Sequence, residues 1–135
     1  MAESLLNHHG QGQFHAYSAG LRPRGEVDAD TLALLTHLDL PTAGLRSKAL
    51  EEFCTPDAPH MDLVFSVSDE QSGEDLPQLP GQPITGHWHI PDPLSCHDAP
   101  ARHQALHEAL RALESHIRLL LCLRPAALEH LKHVA

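Results

Sequence analysis

Basic side chains are scarce: nine Lys and Arg stand against eighteen Asp and Glu, for a formal net charge of −9. Binding to a phosphate backbone draws on clustered Lys and Arg, so nucleic acid is not an expected partner. Long apolar runs are also lacking. LLLCL at 119–123 is the densest stretch, far short of the roughly 20 residues that cross a bilayer, so no membrane partner is expected. The amino terminus carries no basic region followed by an apolar core, hence no expected secretion signal, and the expected location is cytoplasmic. Cysteine is limited to Cys54, Cys96 and Cys122, widely spaced and without a C-x-x-C pair. That pattern reads as free intracellular thiols. No internal repeat and no linker divides the chain. Its 135 residues, 41% of them hydrophobic, suit one domain over 1–135 with a real core.

MAESLLNHH reads as a short helix without an N-cap ahead of it, broken at Gly10-Gln11-Gly12. Alternation in Phe14 to Ala19, ending at a glycine, predicts a strand. After the Pro23 and Gly25 loop, Asp28 is placed to cap a helix whose Leu32, Leu35 and Leu38 face inward. A further short helix is expected from SKALEEF, with Ser47 as its cap. MDLVFSV, 61–67, is apolar and β-branched enough for a buried parallel strand. The proline and glycine density from Asp69 to Pro83 excludes a helix or a central strand there and predicts a loop. GHWHI, 86–90, is a last short strand. Leu106, Leu110, Leu113, Ile117, Leu120 and Leu121 then trace one stripe of a helix from about Pro100 to Leu123, with one or two terminal turns possible in PAALEHLKHV. Helices alternating with short apolar strands argue for an α/β fold with a parallel sheet covered on both faces.

Thirteen histidines raise the question of a metal. His103 and His107 are four apart on the long helix, a spacing that binds zinc when a third ligand converges. His87 and His89 flank Trp88 in a strand. A His pair beside an apolar stripe is more often a solvated flank, so neither a metal nor a cofactor is expected. Cys54 and Cys96 fall in loops without an Arg-rich anion loop, and Cys122, beside Leu121, reads as core. Asp92, before Pro93, is by chemistry alone a turn former.

YSAG at 17–20 followed by a Pro/Gly loop, SK at 47–48 before ALEEF, DLVFSVSD at 62–69, LPQLPGQP at 76–83, and HW then DP at 87–93 occur in a characteristic order. The ordered set resembles the arsenate reductase and low-molecular-weight tyrosine phosphatase family over nearly the whole chain. MAE at 1–3 is similar to the start of the helix that directly follows that family's phosphate loop. The resemblance implies a three-layer αβα fold of the phosphotyrosine phosphatase I type, with a four-stranded parallel sheet in the order 2-1-3-4. Its first strand and its Cys-x5-Arg loop would precede Met1, so the chain is expected to be an N-terminally truncated form or a relative lacking them.

By the same resemblance Asp92 stands at the general-acid position. Two relay positions that carry cysteines in arsenate reductases fall on Ser68 and Leu76, neither of which forms a disulfide. Glu3, Ser18 and Lys48 match positions that some members use for potassium, with an aspartate where this chain has Lys48. The ammonium is expected to replace the cation and pair with Glu3, as an exposed pair contributing about 0–1 kcal/mol. A small oxyanion is the expected partner only with the phosphate loop restored. Without the first strand, two sheet edges are left open, which direct pairing, a strand from a partner or a poorly stable fold would resolve; a homodimer is the favoured outcome. The functional expectation is an arsenate-reductase-like or phosphatase-like protein, inactive as this chain, or else a non-catalytic binding or regulatory relative.

Overall fold

A computed structural model describes residues 1–10, 13–20, 24–68, 79, 81 and 83–122. The elements in chain order are α1 (Ala2–His9), α2 (Ala29–His37), a 3₁₀ turn (Leu50–Phe53), β1 (Leu63–Ser68), β2 (Ile84–His89), a second 3₁₀ turn (Pro93–Ser95) and α3 (Ala99–Leu121). β1 and β2 pair in parallel, from Leu63 opposite Ile84 to Ser68 opposite His89. The short parallel sheet with its helices is the α/β, αβα arrangement of the phosphotyrosine phosphatase I type.

The core follows the 3.6-residue period of α3. Leu106, Ala109, Leu110, Leu113, Ile117 and Leu120 are buried on one stripe, and Leu5 of α1, Leu34 and Leu35 of α2 and Ile90 meet that stripe. Asp98 caps α3, its carboxylate accepting from the Ala101 N–H at 3.2 Å. Asp28 caps α2 as expected, accepting from the Thr31 N–H at 2.9 Å. One sheet face joins the core through rings: Trp88 stacks on Phe65 with centroids 4.5 Å apart and on His116 of α3 at 5.0 Å. Gly86 lies directly under Phe65. A Cβ there would sit 2.8 Å from the ring, so the strand requires glycine at this approach.

Four expectations are corrected. The segment from Phe14 to Ala19 is extended but is not a strand. Its buried Ala16 gives its N–H to Asn7 Oδ1 at 2.8 Å and receives Asn7 Nδ2 on its carbonyl at 3.1 Å, so a side-chain amide takes the place of a neighbouring strand. The one ladder contact nearby is a parallel bridge between Gly20 and Ala49, and among the described residues the sheet has two strands rather than the three expected of this chain. Ser47 does not cap a helix. The Lys48 carbonyl accepts from the Gly20 N–H at 2.9 Å, which holds the chain extended, and helical geometry starts only at Leu50. Leu38 is exposed because α2 stops at His37: the chain reverses at Asp39 (φ 56°), with the Leu40 N–H returning to the Leu35 carbonyl at 2.9 Å. Cys122 caps the end of α3 and is exposed, not core. The proline-rich loop lies mostly outside the described residues, as do Leu76 and the terminal segment from 123 onward. Among the described residues no helix is long and apolar enough to cross a membrane.

Candidate functional site

Three chain segments converge on one charged group. α1 brings Glu3 on its first turn, the extended stretch brings Ser18, and the segment held by the Gly20–Ala49 bridge brings Lys48. Lys48 Nζ lies 3.1 Å from Glu3 Oε2 and 3.4 Å from the Arg46 carbonyl, and the Ser18 hydroxyl donates to the same Glu3 oxygen. The expected pairing is present, but its setting differs. The two side chains are 5% and 13% exposed, so this is a buried ion pair, not a surface one. Its charges have left water, and losing one partner of such a pair costs about 3–5 kcal/mol rather than the 0–1 of a surface pair.

Around this cluster lie two hollows. The larger, of about 450 Å³, is bordered by Glu3, Tyr17, Lys48, Glu52, Phe53 and Asp57 among others. Tyr17 stacks on His15 at 4.9 Å and tilts toward Phe53 at 5.6 Å, giving an aromatic side to a charged floor. Across its rim Arg46 binds Glu52 through both Nη atoms, at 3.0 and 2.7 Å. These hydrogen bonds hold the Glu52 carboxyl below its ordinary range and the Arg46 guanidinium above its own. The smaller hollow, of about 140 Å³, shares Lys48 and Arg46 with the larger and is otherwise bordered by Ser18 to Gly20 and Ser47.

Asp92 stands apart from both hollows. Its Oδ1 accepts from the Leu94 N–H at 2.9 Å, its Oδ2 is 3.6 Å from Arg24 Nη2, and its side chain is 47% exposed. The structure thus brings Glu3, Ser18 and Lys48 together and leaves Asp92 on a separate loop. Ser68 ends β1 opposite His89. Strand periodicity puts His87 and His89 on one sheet face, where His87 Nδ1 is 2.7 Å from Ser66 Oγ. His103 Nε2 is 3.9 Å from Asp30 Oδ1. Among the described residues no three His, Cys, Asp or Glu side chains form a metal-holding group.

Cys96 and Arg102 form the single Cys-x5-Arg spacing in the chain, a signal that Cys96 taken as a lone loop thiol does not show. A thiolate loop of this kind needs free backbone N–H groups and a guanidinium aimed at a bound anion. Here Asp98 places its own carboxylate on the Ala101 N–H, and Pro100 has no N–H to offer. Arg102 Nε points to Asp30 Oδ2 at 3.6 Å, buried and outside hydrogen-bond range. The spacing is present in the sequence, and two carboxylates occupy what would be the cradle.

Residues 1–133 match the family model described as low molecular weight phosphotyrosine protein phosphatase. The chain belongs to this family. No curated protein matches it. Membership makes it a phosphatase-like or arsenate-reductase-like protein, in keeping with the ordered motifs from YSAG to DP and with the parallel β1–β2 pair.

Proposed function

We propose that residues 1–135 form the scaffold and one wall of an oxyanion site of the phosphatase and arsenate reductase type, with Asp92 as its general acid. By themselves they turn over neither a phosphomonoester nor arsenate. The closed Cys96–Arg102 segment carries this reading: in the chain's one Cys-x5-Arg spacing the Ala101 amide is bonded to Asp98, Pro100 has no N–H, and the Arg102 guanidinium faces Asp30. A general acid without a nucleophile and an anion cradle has no leaving group to protonate.

The test uses p-nitrophenyl phosphate, and arsenate with a thiol reductant. Neither is expected to be consumed faster than in buffer, and measurable turnover of either would refute the reading. Fusing a strand and a Cys-x5-Arg loop ahead of Met1 is expected to confer hydrolysis that Asp92→Asn lowers by about 10²–10⁴-fold. A folded fusion indifferent to that substitution removes Asp92 from the role.

One observation favours a second reading, a dimeric binding or regulatory relative. Among the described residues β1 has a strand neighbour on one side only, and Val67 is 43% exposed. A second copy covering that edge would satisfy its backbone groups. A monomeric mass by light scattering at micromolar concentration counts against it.

A further inference from the structure

Lys48 and Arg46 border both hollows, whose remaining linings differ. The larger is bordered by the carboxylates Glu3, Glu52 and Asp57. The smaller is bordered by Ser18, Ala19, Gly20, Arg46, Ser47 and Lys48, that is by two cations and two hydroxyls, with no carboxylate among the described residues. Its volume of about 140 Å³ equals the share of roughly four to five liquid waters, which is room for a tetrahedral oxyanion.

The donors are not used up. A lysine ammonium has three N–H groups, and Lys48 commits them to Glu3 and the Arg46 carbonyl only. Arg46 has five and gives one from each Nη to Glu52. Ser47 Oγ accepts from the Gly25 N–H at 3.1 Å, so its own proton is left to donate. Lys48 is buried, which strengthens its hold on an anion that reaches it. Lys48 and Arg46 are each paired, with Glu3 and Glu52, so the hollow offers their spare N–H groups: a cation there would meet only donors, and an apolar group would strand them. Arg46, 59% exposed, keeps its Nε–H and one N–H on each Nη beyond those bound to Glu52.

We infer that this hollow is a binding site for a tetrahedral oxyanion of the phosphate kind, held by Lys48, Arg46 and Ser47. It does not rest on the role given to Asp92, which borders neither hollow. Free phosphate and the head of a phosphomonoester share this chemistry.

Thermal unfolding of the full chain in inorganic phosphate, against chloride at matched ionic strength, tests it. A saturable rise in Tm specific to phosphate is expected. Arg46→Ala and Ser47→Ala are each expected to weaken the apparent affinity about tenfold, the loss of one hydrogen bond to a charged group, while Arg118→Ala, on the exposed side of α3, leaves it unchanged. Lys48→Gln deprives buried Glu3 of its counter-charge, so the more exposed Arg46 and Ser47 carry the test. Phenyl phosphate serves as the second probe: a rise equal to that of phosphate assigns the hollow to the free ion, and a larger one assigns it to the monoester head. A phosphate effect no greater than that of chloride, or one that persists in both variants, overturns the inference.

Discussion

Lys48 Nζ lies 3.1 Å from Glu3 Oε2 with both side chains nearly shut off from water, and this contact fastens α1 to the segment 45 residues further along. Burying either charge alone is costly, so the pair acts as a two-part lock. Lys48→Met is expected to cost about 3–5 kcal/mol by urea unfolding, because Glu3 is then buried and unpaired. The double variant Glu3→Gln, Lys48→Met is expected to recover most of that loss. A single-variant loss under about 1 kcal/mol would mean that water screens the pair.

Asn7 stands in for a β-strand. Its amide satisfies both backbone groups of Ala16, so Asn7→Ala should cost about 1–3 kcal/mol and speed amide exchange at Ala16. Asn7→Asp keeps the acceptor and loses the donor, and is expected to fall between. Unchanged exchange at Ala16 in Asn7→Ala would show that another group holds the segment.

Gly86 and Phe65 form a second close pairing. A methyl group at residue 86 would press on two ring carbons at 2.8 and 2.9 Å, and Phe65 is itself fixed by its stack on Trp88. Gly86→Ala is therefore expected to cost about 1–3 kcal/mol and to alter Trp88 fluorescence. Adding Phe65→Leu should relieve the clash. Equal losses with and without Phe65→Leu would place the strain in the backbone instead.

Glu52 sets a pH dependence whose sign follows from its shift. Its carboxyl lies below the usual 4.5 because of the Arg46 hydrogen bond, so its contribution is complete above the unfolded value and is lost as pH falls through the folded one. Wild type should exceed Glu52→Gln in stability at neutral pH, and the gap should close in the acid range below 4.5 and shrink in high salt. A gap that widens on acidification would contradict the pairing.

How much of this was legible depends on sequence distance. The α3 stripe and the Asp28 cap are local patterns, and both appear where the residues put them. The Glu3–Lys48 pair was legible only through the family resemblance, and its burial was not, since burial comes from segments far apart in sequence. The strand expected at 14–19 failed for a related reason: alternation describes a segment's faces, whereas a strand also needs a neighbour, and Asn7 supplies the bonds in its place. Leu38 and Cys122 both sit at helix ends, where the apolar period outlasts the helix itself.

The Cys96–Arg102 segment gives the sharpest test of spacing against geometry. Asp98 fills the start of α3 with its own carboxylate, so its role is that of a cap. Asp98→Ala is expected to cost about 0.5–2 kcal/mol, the usual loss of an N-cap side chain. It should confer no hydrolysis of p-nitrophenyl phosphate, because Pro100 still lacks an N–H and Arg102 still faces Asp30. The double variant Asp98→Ala, Asp30→Ala frees the guanidinium as well and is the stricter case. Turnover in either variant that disappears on Cys96→Ser would show that the segment is a nucleophile loop held shut by its own carboxylates. Its absence in both leaves Cys96 and Arg102 as a spacing that the fold spends on capping α3 and joining it to α2.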